Sequence, residues 1–240
     1  MSNTLTPIDI ALQHKINAAQ AAVTYVKSGM KVGLGTGSTA IWATRRIAEL
    51  LHRGELEDIV GFATSRATWD EANKLGIPLL PDELDCNLDL TIDGADEIDP
   101  SFNVIKGGGG ALLREKIVAQ VSRRVIIVAD ESKPSPCLGT HFDLPVEVIE
   151  FGWHSQRDWL ESMGAVPRVR LTKEGSCYKT DSGHLILDCH FGPINSVQGL
   201  ADQLSRRAGI VEHGLFLGMI TDVIISGPSG TRHQCRSDND

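Results

Sequence analysis

Apolar residues at Ile8, Leu12, Ile16, Ala19, Val23 and Val26 recur at steps of three and four, which predicts an amphipathic helix ended by Gly29. The period then shortens. Residues 31–34 read as a strand, the small-residue turn Gly35-Thr36-Gly37-Ser38-Thr39 follows, and Ile41, Ile47 and Leu51 mark a helix over 40–51. The alternation continues with a strand over 59–63, a Thr64-Ser65 cap, a helix to Leu75 closed by Gly76, and strands over 77–80 and 88–92. A helix over 111–121 and the continuous aliphatic strand 125–129 extend it. Strands and helices in alternation, with loops at the strand ends, predict an α/β protein on a doubly wound, mostly parallel sheet.

The rhythm changes after about residue 142. Residues 166–171, 176–179 and 185–189 read as short antiparallel strands turned at Lys173-Glu174-Gly175 and Asp181-Ser182-Gly183, flanked by helices over 155–163 and 196–206. A strand over 222–226 rejoins the first sheet, and from Arg232 the chain reads as a fraying polar tail.

At 240 residues the chain is long enough for a full core, as one large domain or a domain carrying a smaller one. With 41% hydrophobic and 22% charged residues it is an ordinary globular sequence, which excludes disorder. The net charge of -8, with basic residues at most in pairs, disfavours nucleic acid as a partner. A phosphorylated ligand must therefore be captured by a local set of donors. Five cysteines without a CxxC read as reduced thiols, and the lack of a basic leader, of long apolar runs and of a glycosylation sequon leads to the expectation of a cytoplasmic protein away from membranes. The eight histidines suggest no H-E-x-x-H pair, no short ligand spacing and no cysteine partner, so no metal is expected.

Four segments carry candidate chemistry. In Gly35-Thr36-Gly37-Ser38-Thr39-Ala40 glycines permit close backbone approach, amides gather at a helix start, and the Thr36, Ser38 and Thr39 hydroxyls add donors, which suits an anion such as phosphate. The same letters fit a dinucleotide fingerprint, but the second strand ends in Thr64-Ser65 rather than an acid, and no Walker lysine follows, so a nucleotide cofactor is disfavoured. Asp93-Gly94-Ala95-Asp96-Glu97-Ile98-Asp99 leaves the end of a strand. Its spacing fails as a calcium loop, while Asp93 and Asp96 suit hydroxyl recognition or proton shuttling, and Glu97 and Asp99 read as a solvated acidic turn.

Lys106-Gly107-Gly108-Gly109-Gly110 runs directly into a helix, placing exposed amides and one ammonium where negative charge could develop on an oxygen. Glu115 shares a helix face with Ala111, Leu112, Val118 and Ala119, which would desolvate it toward a pKa of about 6 to 7, useful for a general base. On helix geometry alone a charged surface stripe, Arg114-Glu115-Lys116, competes with that reading. Lys133, in Ala129-Asp130-Glu131-Ser132-Lys133, could pair with a ligand phosphate or be plain surface charge.

Taken in order, GLGTGSTA (33–40), TIDGADEID (91–99), KGGGGALLREK (106–116) and ADESK (129–133) closely resemble type A ribose-5-phosphate isomerases. LPVEV (144–148), DCHFGPI (188–194) and HGLF (213–216) are also similar to that family. The resemblance implies a Rossmann-like core, residues 1–141 with 213–240, carrying a smaller α+β domain over 142–212. It implies interconversion of D-ribose 5-phosphate and D-ribulose 5-phosphate without a cofactor, in the pentose phosphate pathway, by a homodimer or homotetramer. The family's phosphate and sugar loop falls on Thr36, Gly37, Ser38 and Thr39, its acidic loop on Asp93, Gly94, Ala95 and Asp96, its Lys-Gly loop on Lys106, Gly107, Gly108 and Gly109, its base on Glu115 and a further substrate contact on Lys133. Two other readings stand beside it: a non-catalytic sugar-phosphate sensor on the same scaffold, and a nicotinamide-dependent oxidoreductase, the latter disfavoured by Thr64-Ser65.

Overall fold

The computed structural model describes residues 7–236. In chain order the elements are α1 (Pro7–Val23), β1 (Lys31–Leu34), α2 (Ala40–His52), β2 (Val60–Ala63), α3 (Arg66–Lys74), β3 (Leu90–Gly94), β4 (Glu97–Ile98), β5 (Val104–Ile105) and α4 (Leu112–Gln120). There follow β6 (Val125–Asp130), β7 (Leu144–Val148), α5 (Trp153–Ser162), β8 (Val166–Val169), β9 (Leu185–His190), α6 (Val197–Ser205), β10 (Ile210–His213), β11 (Leu215–Phe216), β12 (Asp222–Gly227) and β13 (Gly230–Cys235). None of the helices among the described residues is long and apolar enough to cross a membrane.

The chain divides into two compact units. The first holds residues up to 94, 118–133 and from 220 onward; the second holds 95–117 and 134–219. Unit 1 is built on a six-stranded sheet in the order β13-β12-β6-β3-β1-β2, parallel except for β13. Apolar residues at every second position, Val32 and Leu34, Leu90 and Ile92, Ile126 and Val128, bury one face against Ala18, Ala19 and Ala22 of α1 and Ala43 and Ile47 of α2. The alanines let the helix backbones sit close to the sheet. On the opposite face Gly33 is required by packing, since a Cβ there would lie 1.9 Å from Thr91 Oγ1 and 2.9 Å from Val118. Winding leaves β1 in one direction toward β2 and in the other toward β3, so the topological switch point lies between the C-terminal ends of β1 and β3.

Unit 2 contains a four-stranded antiparallel sheet, β10-β7-β9-β8, and a small antiparallel sheet, β11-β5-β4. Its core gathers Val146, Val148, Leu185 and Leu187 from the larger sheet with Leu160 of α5 and Leu200 and Leu204 of α6. The boundary differs from the 142–212 read from sequence: unit 2 also takes 95–117, 134–141 and 213–219. The physical reason is β-pairing, because Ile105 faces Leu215 and Val104 faces Phe216 in the small sheet.

Three further expectations change. Residues 77–80 make only a bridge from Leu79 to Gly61, as Pro78 has no N–H to extend a ladder. Residues 176–179 likewise reduce to a Leu171–Cys177 bridge. The tail from Arg232 does not fray where it is described: β13 pairs with β12 from Gly230 to Cys235 as a polar edge strand, while residues 237–240 lie outside the described region.

Candidate active site

In unit 1 the turn after β1 is braced from beneath by hydroxyls. Thr36 Oγ1 lies 2.7 Å from Thr64 Oγ1, 2.8 Å from Ser65 Oγ and 3.1 Å from Thr68 Oγ1. Ser65 is also the cap of α3, accepting from the Thr68 amide at 3.1 Å. Thr36 was expected to offer its hydroxyl outward; it is instead turned into this cluster, and its amide donates to Asp93 Oδ1 at 3.1 Å. The donors left to an anion are the Ser38 and Thr39 hydroxyls and the Gly37, Ser38 and Thr39 amides, since the Ile41 and Trp42 amides of α2 already donate to the Gly37 and Thr39 carbonyls. Thr39, at the N-cap, makes no side-chain capping bond.

Asp93, next to last in β3, is almost fully buried, its Oδ1 also accepting from the Gly94 amide at 2.7 Å. Gly35 is glycine because of it, since a Cβ would meet Asp93 Oδ1 at 2.3 Å. A residue that sequence reasoning passed over joins the turn: Lys15 of α1 donates to Ser38 Oγ at 2.9 Å. At the end of β6, burial pushes the Asp130 carboxyl up, but Ser132 hydrogen bonds and the Lys133 and Lys15 charges outweigh it and hold the group below its usual value. Lys133 is half-buried there.

In unit 2 the candidate chemistry is built from side chains. Lys106 (3% exposed) and Glu115 (4% exposed) form a buried ion pair, Nζ to Oε1 3.1 Å. The expectation of a carboxylate simply desolvated by an apolar face is thus corrected: a cation sits against it. Phe216 forms the floor, with the Lys106 and Lys116 ammoniums 5.7 Å and 4.9 Å from its ring centre. Lys116 is tied to Glu212 and to the His213 carbonyl, and its pKa is lowered by burial, partly offset by Glu212. Burial, reinforced by the Lys116 charge, lowers His213 to about 4, so its ring is neutral near pH 7. Gly214 leaves room for the Lys106 carbonyl, which a Cβ would approach to 2.3 Å. The HGLF segment is therefore the wall behind the pair.

The glycine loop is held by its carbonyls. Arg170, paired with both Asp188 oxygens, donates to the carbonyls of Gly107 at 2.8 Å and Gly108 at 3.1 Å. Gly107 and Gly110 have φ of +105° and +82°, which favours glycine at both. The Gly108 amide donates to Asp96 Oδ2 at 2.7 Å and the Gly110 amide to the Gly107 carbonyl at 2.9 Å. Asp96 is thus a tether of the loop, and fewer amides face outward than the sequence suggested. Glu97, expected in a solvated turn, is fully buried and accepts from the amides of Gly139, Thr140 and His141. Asp99 closes its own turn by accepting from the Ser101 and Asn103 amides.

Fold and geometry define a class: an α/β protein with an anion-type turn at a switch point and a buried carboxylate–ammonium pair. Residues 60–230 match the family described as ribose 5-phosphate isomerase A (phosphoriboisomerase A). A ribose-5-phosphate isomerase A of Chloroflexus aurantiacus is 56% identical over 224 residues, 93% of this chain and 94% of that one. Among solved structures, a D-ribose-5-phosphate isomerase in complex with phospho-erythronic acid superposes with a TM-score of 0.90 at 33% identity, covering 93% of this chain and 98% of that one. The ribose 5-phosphate isomerase of Plasmodium falciparum gives 0.88 at 39% identity, covering 92% and 97%. The chain belongs to the ribose 5-phosphate isomerase A family.

Proposed function

We propose that this protein interconverts D-ribose 5-phosphate and D-ribulose 5-phosphate through a cis-enediolate, as an enzyme of the pentose phosphate pathway. The observation that carries the reading is the Lys106–Glu115 pair, a base and an electrophile 3.1 Å apart in a water-poor setting. Family membership supports it, together with the phospho-erythronic acid complex of the relative.

In the proposed reaction the amides of Gly37, Ser38 and Thr39, with the Ser38 and Thr39 hydroxyls, hold the phosphate; Thr36 keeps the turn in shape, and Lys15 and Lys133 supply positive charge. The segment Asp93-Gly94-Ala95-Asp96 meets the sugar hydroxyls, Asp93 promoting ring opening and passing the O2 proton to O1. Glu115 takes the proton from C2 as the C1 carbonyl oxygen becomes anionic, then delivers a proton to C1 as C2 becomes the carbonyl. Lys106 and the outward amides of the Gly107-Gly108-Gly109 run stabilise the oxyanion. No cofactor enters these steps. We further propose a cytoplasmic homodimer or homotetramer, a reading that rests on the family resemblance and the lack of a membrane-length helix among the described residues.

A ketose-specific assay on ribose 5-phosphate with no added cofactor tests the activity, and absence of product would refute it. Replacing Lys133 by Ala is expected to raise KM with kcat little changed; an unaltered KM removes Lys133 from the substrate contacts.

A further inference from the structure

The ladder between β12 and β13 brings together three donors of different chemistry. Asp222 lies directly opposite Cys235 in the register, and His233, two residues before Cys235, projects from the same face of the edge strand. The side chains meet: His233 Nε2 is 2.7 Å from Asp222 Oδ1, Cys235 Sγ is 3.3 Å from that oxygen, and Sγ is 3.4 Å from Nε2. Asp222 stands at the start of β12, whereas the switch-point turn lies at the opposite, C-terminal ends of the parallel strands. The H-x-C spacing was overlooked in the sequence because the segment reads as a polar tail.

We propose that Asp222, His233 and Cys235 form a binding site for a divalent cation of borderline softness, with Zn²⁺ as the best fit and water as the fourth ligand. Carboxylate, imidazole and thiolate are all zinc ligands, and tetrahedral geometry with bonds of about 2.0 to 2.3 Å sets ligand edges of about 3.3 to 3.5 Å. Two of the three edges already have that length. Only the His233–Asp222 edge must open, by roughly 0.6 Å on the same bond lengths.

The surroundings fit a metal-bound form. Tyr25 Oη is 2.8 Å from His233 Nδ1, a hydrogen-bond partner on the far ring nitrogen that fixes an imidazole ligand's tautomer. Asp222 Oδ2 accepts from Arg124 Nε at 2.8 Å and Thr221 Oγ1 at 2.7 Å, so one carboxylate oxygen is already oriented by neighbours while Oδ1 faces the triangle. Arg124 Nη2 also reaches Oδ1, at 2.6 Å, and its charge opposes a second cation. A carboxylate and a thiolate bring two negative charges against that one. Binding replaces the hydrogens that now bridge the triangle: the Cys235 thiol proton leaves to solvent, and the Nε2 hydrogen moves to Nδ1, where Tyr25 Oη accepts it. Nothing is oxidised or reduced.

Titration of the metal-free protein with Co²⁺ alone tests the site. One equivalent is expected to bind with a thiolate-to-cobalt charge-transfer absorption in the near ultraviolet, and Zn²⁺ is expected to displace it. Cys235→Ser should abolish the absorption, His233→Gln should weaken Co²⁺ binding at least 10-fold, and Tyr25→Phe about 10-fold. Isomerase turnover of the metal-free Cys235→Ser variant should match that of metal-free wild type, which also certifies that it folds. Absence of the charge-transfer band in wild type, or its survival in Cys235→Ser through one of the other cysteines, overturns the proposal.

Discussion

The candidate chemistry of unit 1 is made of backbone, and that of unit 2 is made of side chains. Around the turn after β1 the anion donors are amides and small hydroxyls, and the longer side chains serve to shape the turn: Asp93 and the Thr64, Ser65 and Thr68 hydroxyls all point at Gly35 and Thr36. In unit 2 two oppositely charged groups are buried as a pair, Lys106 over the Phe216 ring, and removing either leaves an uncompensated charge. A backbone-built site spreads binding over many weak donors. A side-chain pair concentrates chemistry in one proton carrier, so damage to it should fall on turnover, and damage to the turn on affinity.

The largest effect is expected at the pair. Replacing Glu115 with Gln should lower kcat by about 10² to 10⁴ while ribose 5-phosphate still binds, and steady-state kinetics beside calorimetry would separate the two. Next comes the buried wall. With a folded pKa of about 4 against 6.5, His213 protonates less readily in the folded chain. Its contribution, about 3 kcal/mol, is therefore present in full above pH 6.5 and lost as pH falls through 4. Urea unfolding at pH 7 and pH 4.5 should show that slope in wild type and its loss in His213→Gln; equal slopes would deny His213 the role.

Smaller effects probe the contrast more finely. Gly110→Ala puts a side chain on a backbone of φ +82° and a Cβ 2.3 Å from Tyr178 Oη, so the glycine loop should shift and kcat fall about 10- to 100-fold. Lys15→Met should raise KM about 5- to 10-fold with kcat preserved, consistent with loss of about 1 kcal/mol of anion binding. Thr36→Val, which removes an inward hydroxyl, should cost least, under about 5-fold in KM. A unit 1 variant that mainly lowered kcat would erase the distinction between the two units.

Much of this organisation was legible in sequence. The strands β1, β3 and β6 carry clear apolar runs, and the glycine-rich turns sit directly at strand ends. What could not be seen has a common cause, long-range pairing without local periodicity. The strands β4, β5 and β11 are two residues each and exist only because they face one another. As an edge strand, β13 buries no stripe and so shows no alternation. Lys106 and Glu115 are nine residues apart across a loop whose path no helical spacing reveals, and Arg170 grips that loop from more than sixty residues away. Thr64-Ser65, useful in sequence only as the absence of an acid, turns out to brace Thr36.

The central claim, that the Glu115 carboxylate moves the proton between C1 and C2, is tested most directly by isomerisation in D₂O followed by NMR. Wild type should place solvent deuterium on the carbon that receives the proton, because a carboxyl proton exchanges with solvent between transfers. Glu115→Gln should incorporate it about 10² to 10⁴ more slowly than wild type while binding ribose 5-phosphate within about 3-fold of wild type, under 1 kcal/mol. Undiminished incorporation by that variant would contradict the account.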